Sequence, residues 1–99
     1  MKTQNKEWVG VPPVDGAYVI NLGQMMQVLS NGQFSATEHR VINRYGADRY
    51  SIPMFVNPSY DIVIKPIVGE PPADFKPFVS GEYQANVYRS IYPHKKLAA

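Results

Sequence analysis

The chain has 99 residues, 44% of them apolar and 18% charged, with a net charge of +2 and no cysteine. That length allows one domain at most, and the composition is globular rather than disordered. The weak, mixed charge argues against nucleic acid or an anionic membrane as partner, and the missing cysteines exclude disulfides, thiolate zinc sites and a cysteine nucleophile.

Residues Met1 to Glu7 are polar and read as a frayed start. The opening MKTQNKEW has no apolar segment of the kind a signal peptide needs, and no apolar run approaches spanning length, so a cytoplasmic location is expected. Trp8 to Val14 (WVGVPPV) is an extended approach that ends in a turn at Asp15-Gly16. Ala17 to Leu22 (AYVINL) is a short run of apolar, aromatic and β-branched residues, and it predicts a buried strand. Gln24 to Leu29 (QMMQVL) is rich in helix formers and predicts one or two helical turns. Ser30-Asn31-Gly32 stops them, since Asn-Gly is a strong turn signal.

Phe34 to Thr37 and Glu38 to Tyr45 read as strand with a kink between them, followed by a hairpin-sized turn at Gly46-Ala47-Asp48. Arg49 to Val56 reads as strand again, with Pro53 marking an edge or bulge. Asn57-Pro58-Ser59 is a turn. Tyr60 to Lys65 alternates, with Ile62 and Ile64 on one face and Asp61, Val63 and Lys65 on the other. Residues 67–79 are Pro-rich and unsuited to regular structure. A final helix is expected over 80–92, capped by Ser80, with Tyr83, Val87, Tyr88 and Ile91 as one buried face. Four or five strands in series, a short connecting helix and a C-terminal helix suggest a mainly β sandwich or barrel. A jelly roll needs roughly eight strands to cover its edges. This chain offers about half, so unpaired edges would invite another segment.

Three residues stand out chemically. His39 sits in strand-like sequence and could ligate a transition metal, or be a strand histidine satisfied by hydrogen bonds. Arg49 and Ser51 lie at i and i+2, so a strand puts them on one face. There a guanidinium fork and a hydroxyl could grip a carboxylate; the plain alternative is an exposed arginine beside a solvated serine. Asp15, Asp48 and Asp61 are separated and read as turn or surface residues. The chain has no Gly-rich phosphate loop and no serine in a nucleophile-elbow context. The basic run His94-Lys95-Lys96 reads as a solvated tail.

The order of these segments carries more than any one of them. Trp8 with Val11-Pro12-Pro13 comes first, then Tyr18-Val19-Ile20-Asn21-Leu22-Gly23 and Ser30-Asn31-Gly32. Glu38-His39-Arg40-Val41 and Arg49-Tyr50-Ser51-Ile52-Pro53 with Phe55 complete the series. From Trp8 to Pro66 the chain resembles the C-terminal part of the Fe(II)/2-oxoglutarate-dependent oxygenases, in the branch similar to isopenicillin N synthase. The resemblance implies half of a double-stranded β-helix, or jelly roll, over residues 8–66 of a single partial domain spanning 1–99. It implies an iron held by two histidines and one carboxylate, with His39 matching the second histidine. Arg49 and Ser51 match the pair that binds the distal carboxylate of 2-oxoglutarate. In that family iron activates O2, the 2-oxo acid is decarboxylated to succinate, and an unactivated C–H bond of a small organic substrate is oxidised.

The chain departs from the family pattern in one serious way: it has no His-x-Asp or His-x-Glu, the motif that supplies the other two ligands. A smaller departure is Gln24, where relatives usually carry Asp. The resemblance therefore implies one iron ligand and the co-substrate clamp without a complete centre, and a chain inactive on its own. An N-terminal half carrying His-x-Asp, or a second copy of the chain, is the implied partner. Two rivals remain at this level. One is a non-catalytic jelly-roll module acting through dimerisation or through pairing with an N-terminal half. The other is an isopenicillin N synthase-like oxidase that does not use 2-oxoglutarate.

Overall fold

The computed structural model describes residues 1–92; residues 93–99, with His94 and the basic run, lie outside the described residues. Two helices and two short strands form in the order α1 (Gln24–Leu29), β1 (Val63–Ile64), β2 (Phe78–Val79) and α2 (Ser80–Ile91). The strands pair antiparallel, with Val63 opposite Val79 and Ile64 opposite Phe78.

The connecting helix α1 has the bounds its sequence predicts. It ends in a Schellman motif. The Gly32 amide donates to the Gln27 carbonyl at 2.9 Å and the Asn31 amide to the Val28 carbonyl at 2.9 Å. Asn31 takes the left-handed conformation this requires (φ 52°), one that a short polar side chain tolerates. Its side-chain Nδ2 donates to the Glu70 carbonyl at 2.9 Å, and the Ile67 amide donates to the Leu29 carbonyl at 3.0 Å. The helix end thereby fastens the Pro-rich segment.

Around this end a small nucleus closes. Ile64 is the one fully buried apolar side chain among the described residues, seated where α1, β1, β2 and α2 meet. The Ser80 amide donates to the Ile62 carbonyl at 2.9 Å and the Gly81 amide to the Tyr60 carbonyl at 2.8 Å. A Cβ at Gly81 would overlap the Tyr60 ring, so only glycine lets this helix start approach so closely. Phe78 and Tyr83 stack tilted, 5.0 Å between centroids.

Several expectations are corrected. Ser80 is not the cap of α2: Val79 holds that position, with no side-chain cap bond. Ser80 is instead fully buried, with its hydroxyl 3.7 Å from Met25 Sδ and accepting from Gln84 Nε2 at 3.1 Å. The expected buried face of α2 is only partly used. Tyr83 is half-buried, while Val87, Tyr88 and Ile91 are exposed, because the nucleus touches only the first turns of the helix. The Pro-rich segment 67–79 ends in β2, which its composition did not announce; Phe78 and Val79 follow the last proline and are free to donate to a ladder.

The largest difference concerns the strands. Ala17–Leu22, Phe34–Thr37, Glu38–Tyr45 and Arg49–Val56 make no ladder with one another among the described residues, and Tyr60–Lys65 contributes only Val63–Ile64. Their apolar side chains stand in solvent, Tyr18 at 95% and Ile52 at 97% exposure. The radius of gyration is 16.6 Å, against about 13 Å for a compact chain of this size. Strands that return beside one another only through intervening strands have no neighbour within one chain portion, so local sequence alone does not bring them together.

Residues Met1 to Val9 also differ from expectation. They form a hairpin rather than a frayed start. The N-terminal ammonium donates to the Val9 carbonyl at 2.8 Å and the Val9 amide donates to the Met1 carbonyl at 2.7 Å. Thr3 and Glu7 bond across the turn at 2.8 Å, and Lys6 takes a left-handed φ of 64°.

Candidate functional site

His39 lies in the segment that follows the α1 turn. Two side chains of the α1 region direct that segment: Gln27 Oε1 accepts from the Ala36 amide at 2.6 Å, and Ser30 Oγ accepts from the Phe34 amide at 3.0 Å. Thus α1 aims the chain leading to His39. The hairpin meets the segment next, where the Lys2 amide donates to the Glu38 carbonyl at 2.9 Å and Lys2 Nζ pairs with Glu38 Oε2 at 2.7 Å.

The His39 ring is exposed, with Nδ1 3.0 Å from the Thr37 carbonyl oxygen. A carbonyl can only accept, so in the neutral ring this contact puts the proton on Nδ1 and leaves the Nε2 lone pair outward. That is the arrangement a metal-ligating imidazole needs, with the far nitrogen tied to a backbone acceptor.

Arg49 and Ser51 follow the turn at residues 45–47. Asn43 closes this turn, its Nδ2 donating to the Ala47 carbonyl at 2.7 Å and its Oδ1 accepting from the Tyr45 amide at 3.3 Å; Gly46 supplies a φ of 64°. The expected hairpin turn is therefore present, although the strands on either side do not pair. Arg49 and Ser51 are exposed, and neither makes a side-chain hydrogen bond or ion pair among the described residues. A guanidinium with all its donors unspent is available to a carboxylate.

The structure does not bring His39, Arg49 and Ser51 into one cavity. One groove of about 240 Å³ lies between the hairpin and residues 35–38, lined by Lys2, Lys6, Thr37 and Glu38. Another, of about 470 Å³, lies along α2 and is lined by Tyr60, Ala85, Tyr88 and Tyr92. None of the three site residues lines either. Nor do the described residues fit Fe(II) as a complete centre: no group of three or more His, Asp or Glu side chains is placed to hold a metal ion. His39 fits as one ligand and no more.

The sequence reading missed the hold on the segment around His39. The Arg40 guanidinium lies over the Trp8 ring, 4.1 Å from its centroid, with Lys2 Nζ at 5.9 Å. Its traces were there: Thr-Gln-Asn-Lys is a turn-forming run, and it separates Met1-Lys2 from Glu7-Trp8.

Residues 1–58 match the model of the 2OG-Fe(II) oxygenase superfamily, so the match takes in the hairpin as well as His39, Arg49 and Ser51. A bi-functional coumaroyl CoA and feruloyl CoA ortho-hydroxylase of Ipomoea batatas is 38% identical over 103 residues, covering 99% of this chain and 28% of the relative. Feruloyl CoA ortho-hydroxylase 2 of Arabidopsis thaliana is 38% identical over 94 residues, 90% of this chain and 26% of the relative. A bi-functional coumaroyl CoA and feruloyl CoA ortho-hydroxylase of Ruta graveolens is 35% identical over 94 residues, 90% of this chain and 25% of the relative. The chain thus spans little more than a quarter of the length of these curated relatives. No solved structure matches it. No helix among the described residues is long and apolar enough to cross a membrane. With more than half of its residues inside the family match, the chain belongs to the 2OG-Fe(II) oxygenase superfamily, jelly-roll dioxygenases that use Fe(II) with 2-oxoglutarate as co-substrate, and corresponds to a C-terminal part of it.

Proposed function

We propose that this chain supplies part of a non-haem Fe(II)/2-oxoglutarate-dependent dioxygenase site: His39 as one iron ligand, and Arg49 with Ser51 as the clamp on the distal carboxylate of 2-oxoglutarate. The observation that carries the reading is the His39 ring, whose Nδ1 rests on the Thr37 carbonyl at 3.0 Å so that Nε2 is the free nitrogen, inside the family match. The unspent donors of Arg49 and the hydroxyl two residues on support the clamp. Bound iron would supply the oxidising chemistry; this chain's residues bind and orient.

The remaining ligands come from another polypeptide portion. A segment carrying His-x-Asp would complete the centre, and the unpaired strand residues 17–22, 34–45 and 49–56 give it edges on which to add strands. In this reading residues 8–66 are the C-terminal half of the double-stranded β-helix, with α1 connecting its strands and α2 closing its end. Two of the named relatives are coumaroyl CoA and feruloyl CoA ortho-hydroxylases and the third is a feruloyl CoA ortho-hydroxylase, and we assign the completed assembly a substrate of that class, an aromatic acyl thioester.

An anaerobic Fe(II) titration with 2-oxoglutarate tests this. The chain alone is expected to give no saturable metal-to-ligand charge-transfer band. Mixed with a polypeptide carrying the His-x-Asp half, it should give one, and His39→Ala should abolish both the band and iron-dependent turnover. A full band in the His39→Ala assembly would remove the ligand role. A band from the unmixed chain would mean that His94 or a second copy completes the site.

A further inference from the structure

The residues on both sides of His39 are held from outside their own segment. Lys2 and Trp8 face each other across the N-terminal hairpin. Glu38 meets this pair through the Lys2 amide (2.9 Å) and the Lys2 ammonium (2.7 Å). Arg40 meets it by laying its guanidinium on the Trp8 indole at 4.1 Å. Glu38 and Arg40 are i and i+2 and both reach the hairpin; in extended chain the residue between two such neighbours turns to the other side. That residue is His39, whose hydrogen bond is to Thr37 rather than to the hairpin.

We propose that Lys2 and Trp8 are positioning residues for His39. The hairpin clasps Glu38 and Arg40, fixes the backbone between them, and so presents the imidazole from the opposite face with its proton on Nδ1 and Nε2 free. A bond from a ring nitrogen to a carbonyl two residues back is weak support for an exposed side chain, because the backbone around it can rotate. Two anchors flanking the residue remove that freedom. They differ in kind: the Glu38 anchor is a backbone bond reinforced by charge, whereas the Arg40 anchor is a flat cation on the aromatic ring that holds cations best. The usefulness of a fixed Nε2 rests on reading His39 as an iron ligand, but its orientation can be measured without iron.

Long-range 1H–15N spectra of the metal-free 15N-labelled chain, taken at a fixed pH where the ring is neutral, report which nitrogen carries the proton. His94→Gln removes the second ring from the spectrum. The wild-type chain should show His39 as the Nδ1–H tautomer. Trp8→Ala and Arg40→Ala should both lose that pattern to the averaged one of a freely turning imidazole, and Trp8→Tyr should restore it. Arg40→Ala guards against loss of the hairpin in Trp8→Ala, because it leaves the hairpin's own bonds in place. Protection of the Thr3 and Val9 amides shows whether they persist. An unchanged Nδ1–H pattern in Arg40→Ala with the hairpin intact overturns the proposal, as does an averaged pattern in the wild type. Failure here leaves the iron role of His39 standing, and failure of the iron titration leaves this result standing.

Discussion

Two regions of this chain behave differently. The nucleus of α1, β1, β2 and the start of α2 closes on itself around Ile64, with each element bonded to a neighbour far away in sequence. The stretch from His39 to Pro58 contains the candidate site residues and is exposed almost throughout, with Asn43 closing its one turn. Most of the nucleus, from Tyr60 onward, lies beyond the family match, whereas the site stretch lies inside it. The residues proposed for the site are thus the ones that the chain by itself leaves without packed neighbours. A jelly roll interleaves strands that are distant in its sequence, so a stretch of it lacks neighbours when taken alone.

The sharpest way to break this contrast is to remove one apolar side chain from each region. Ile64→Ala should cost about 2–5 kcal/mol, the range for a buried aliphatic truncation. A small nucleus has little more than that to lose, so urea melts followed by far-UV dichroism should show the α2 transition shifted or gone. Ile52→Ala, at 97% exposure in the site stretch, should change the midpoint by less than about 0.5 kcal/mol. Equal effects would mean that the two regions fold as one.

Arg49→Lys moves the comparison to function. Replacing a forked guanidinium by a point ammonium removes one charge-assisted bond and should weaken 2-oxo-acid binding in a completed assembly by about 1–3 kcal/mol. The dissociation constant from calorimetry checks it. Because Arg49 makes no ion pair among the described residues, the stability of the isolated chain should not move. An unchanged dissociation constant removes the clamp assignment.

Asn31 probes the nucleus alone, since its backbone ends α1 and its side chain holds the Glu70 carbonyl. Asn31→Gly keeps the left-handed conformation and loses only that bond, about 0.5–1.5 kcal/mol. Asn31→Ala adds the left-handed penalty of about 1–2 kcal/mol. Thermal midpoints should therefore fall in the order wild type, Gly, Ala. An Ala midpoint at or above the Gly midpoint would show that the left-handed conformation carries no penalty here.

What could be read from the sequence follows the same division. The helix at Gln24–Leu29, its Asn-Gly stop and the Asp15-Gly16 and Gly46 turns were all legible, because each is decided by neighbours a few residues apart. The family, too, was legible from ordered short motifs. The strands were legible as propensity and not as a sheet, because pairing depends on partners that local pattern does not name. The burial of Ser80 was missed because a serine before a helical run is usually a cap, and only the approach of Tyr60 and Met25 reveals otherwise. The hairpin at Met1–Val9 was missed because it is polar, held by cross-strand bonds with the Lys2 ammonium near the Trp8 ring rather than by apolar alternation.

The smallest effect expected is in that hairpin. The Lys2–Glu38 pair is short, at 2.7 Å, but Glu38 is 70% exposed, so water and salt screen it. Exposed pairs of this kind contribute about 0.2–1 kcal/mol. Glu38→Gln keeps the shape and the backbone bond from the Lys2 amide, and removes only the charge. Its effect should be a loss of less than about 1 kcal/mol in hairpin stability, read from the hydrogen-exchange rates of the Lys2 and Val9 amides, and it should shrink further between low and high salt. A loss well above that range, insensitive to salt, would mean that Glu38 is held by more than its charge. The hairpin would then belong with the self-sufficient nucleus rather than with the stretch that waits for partner strands.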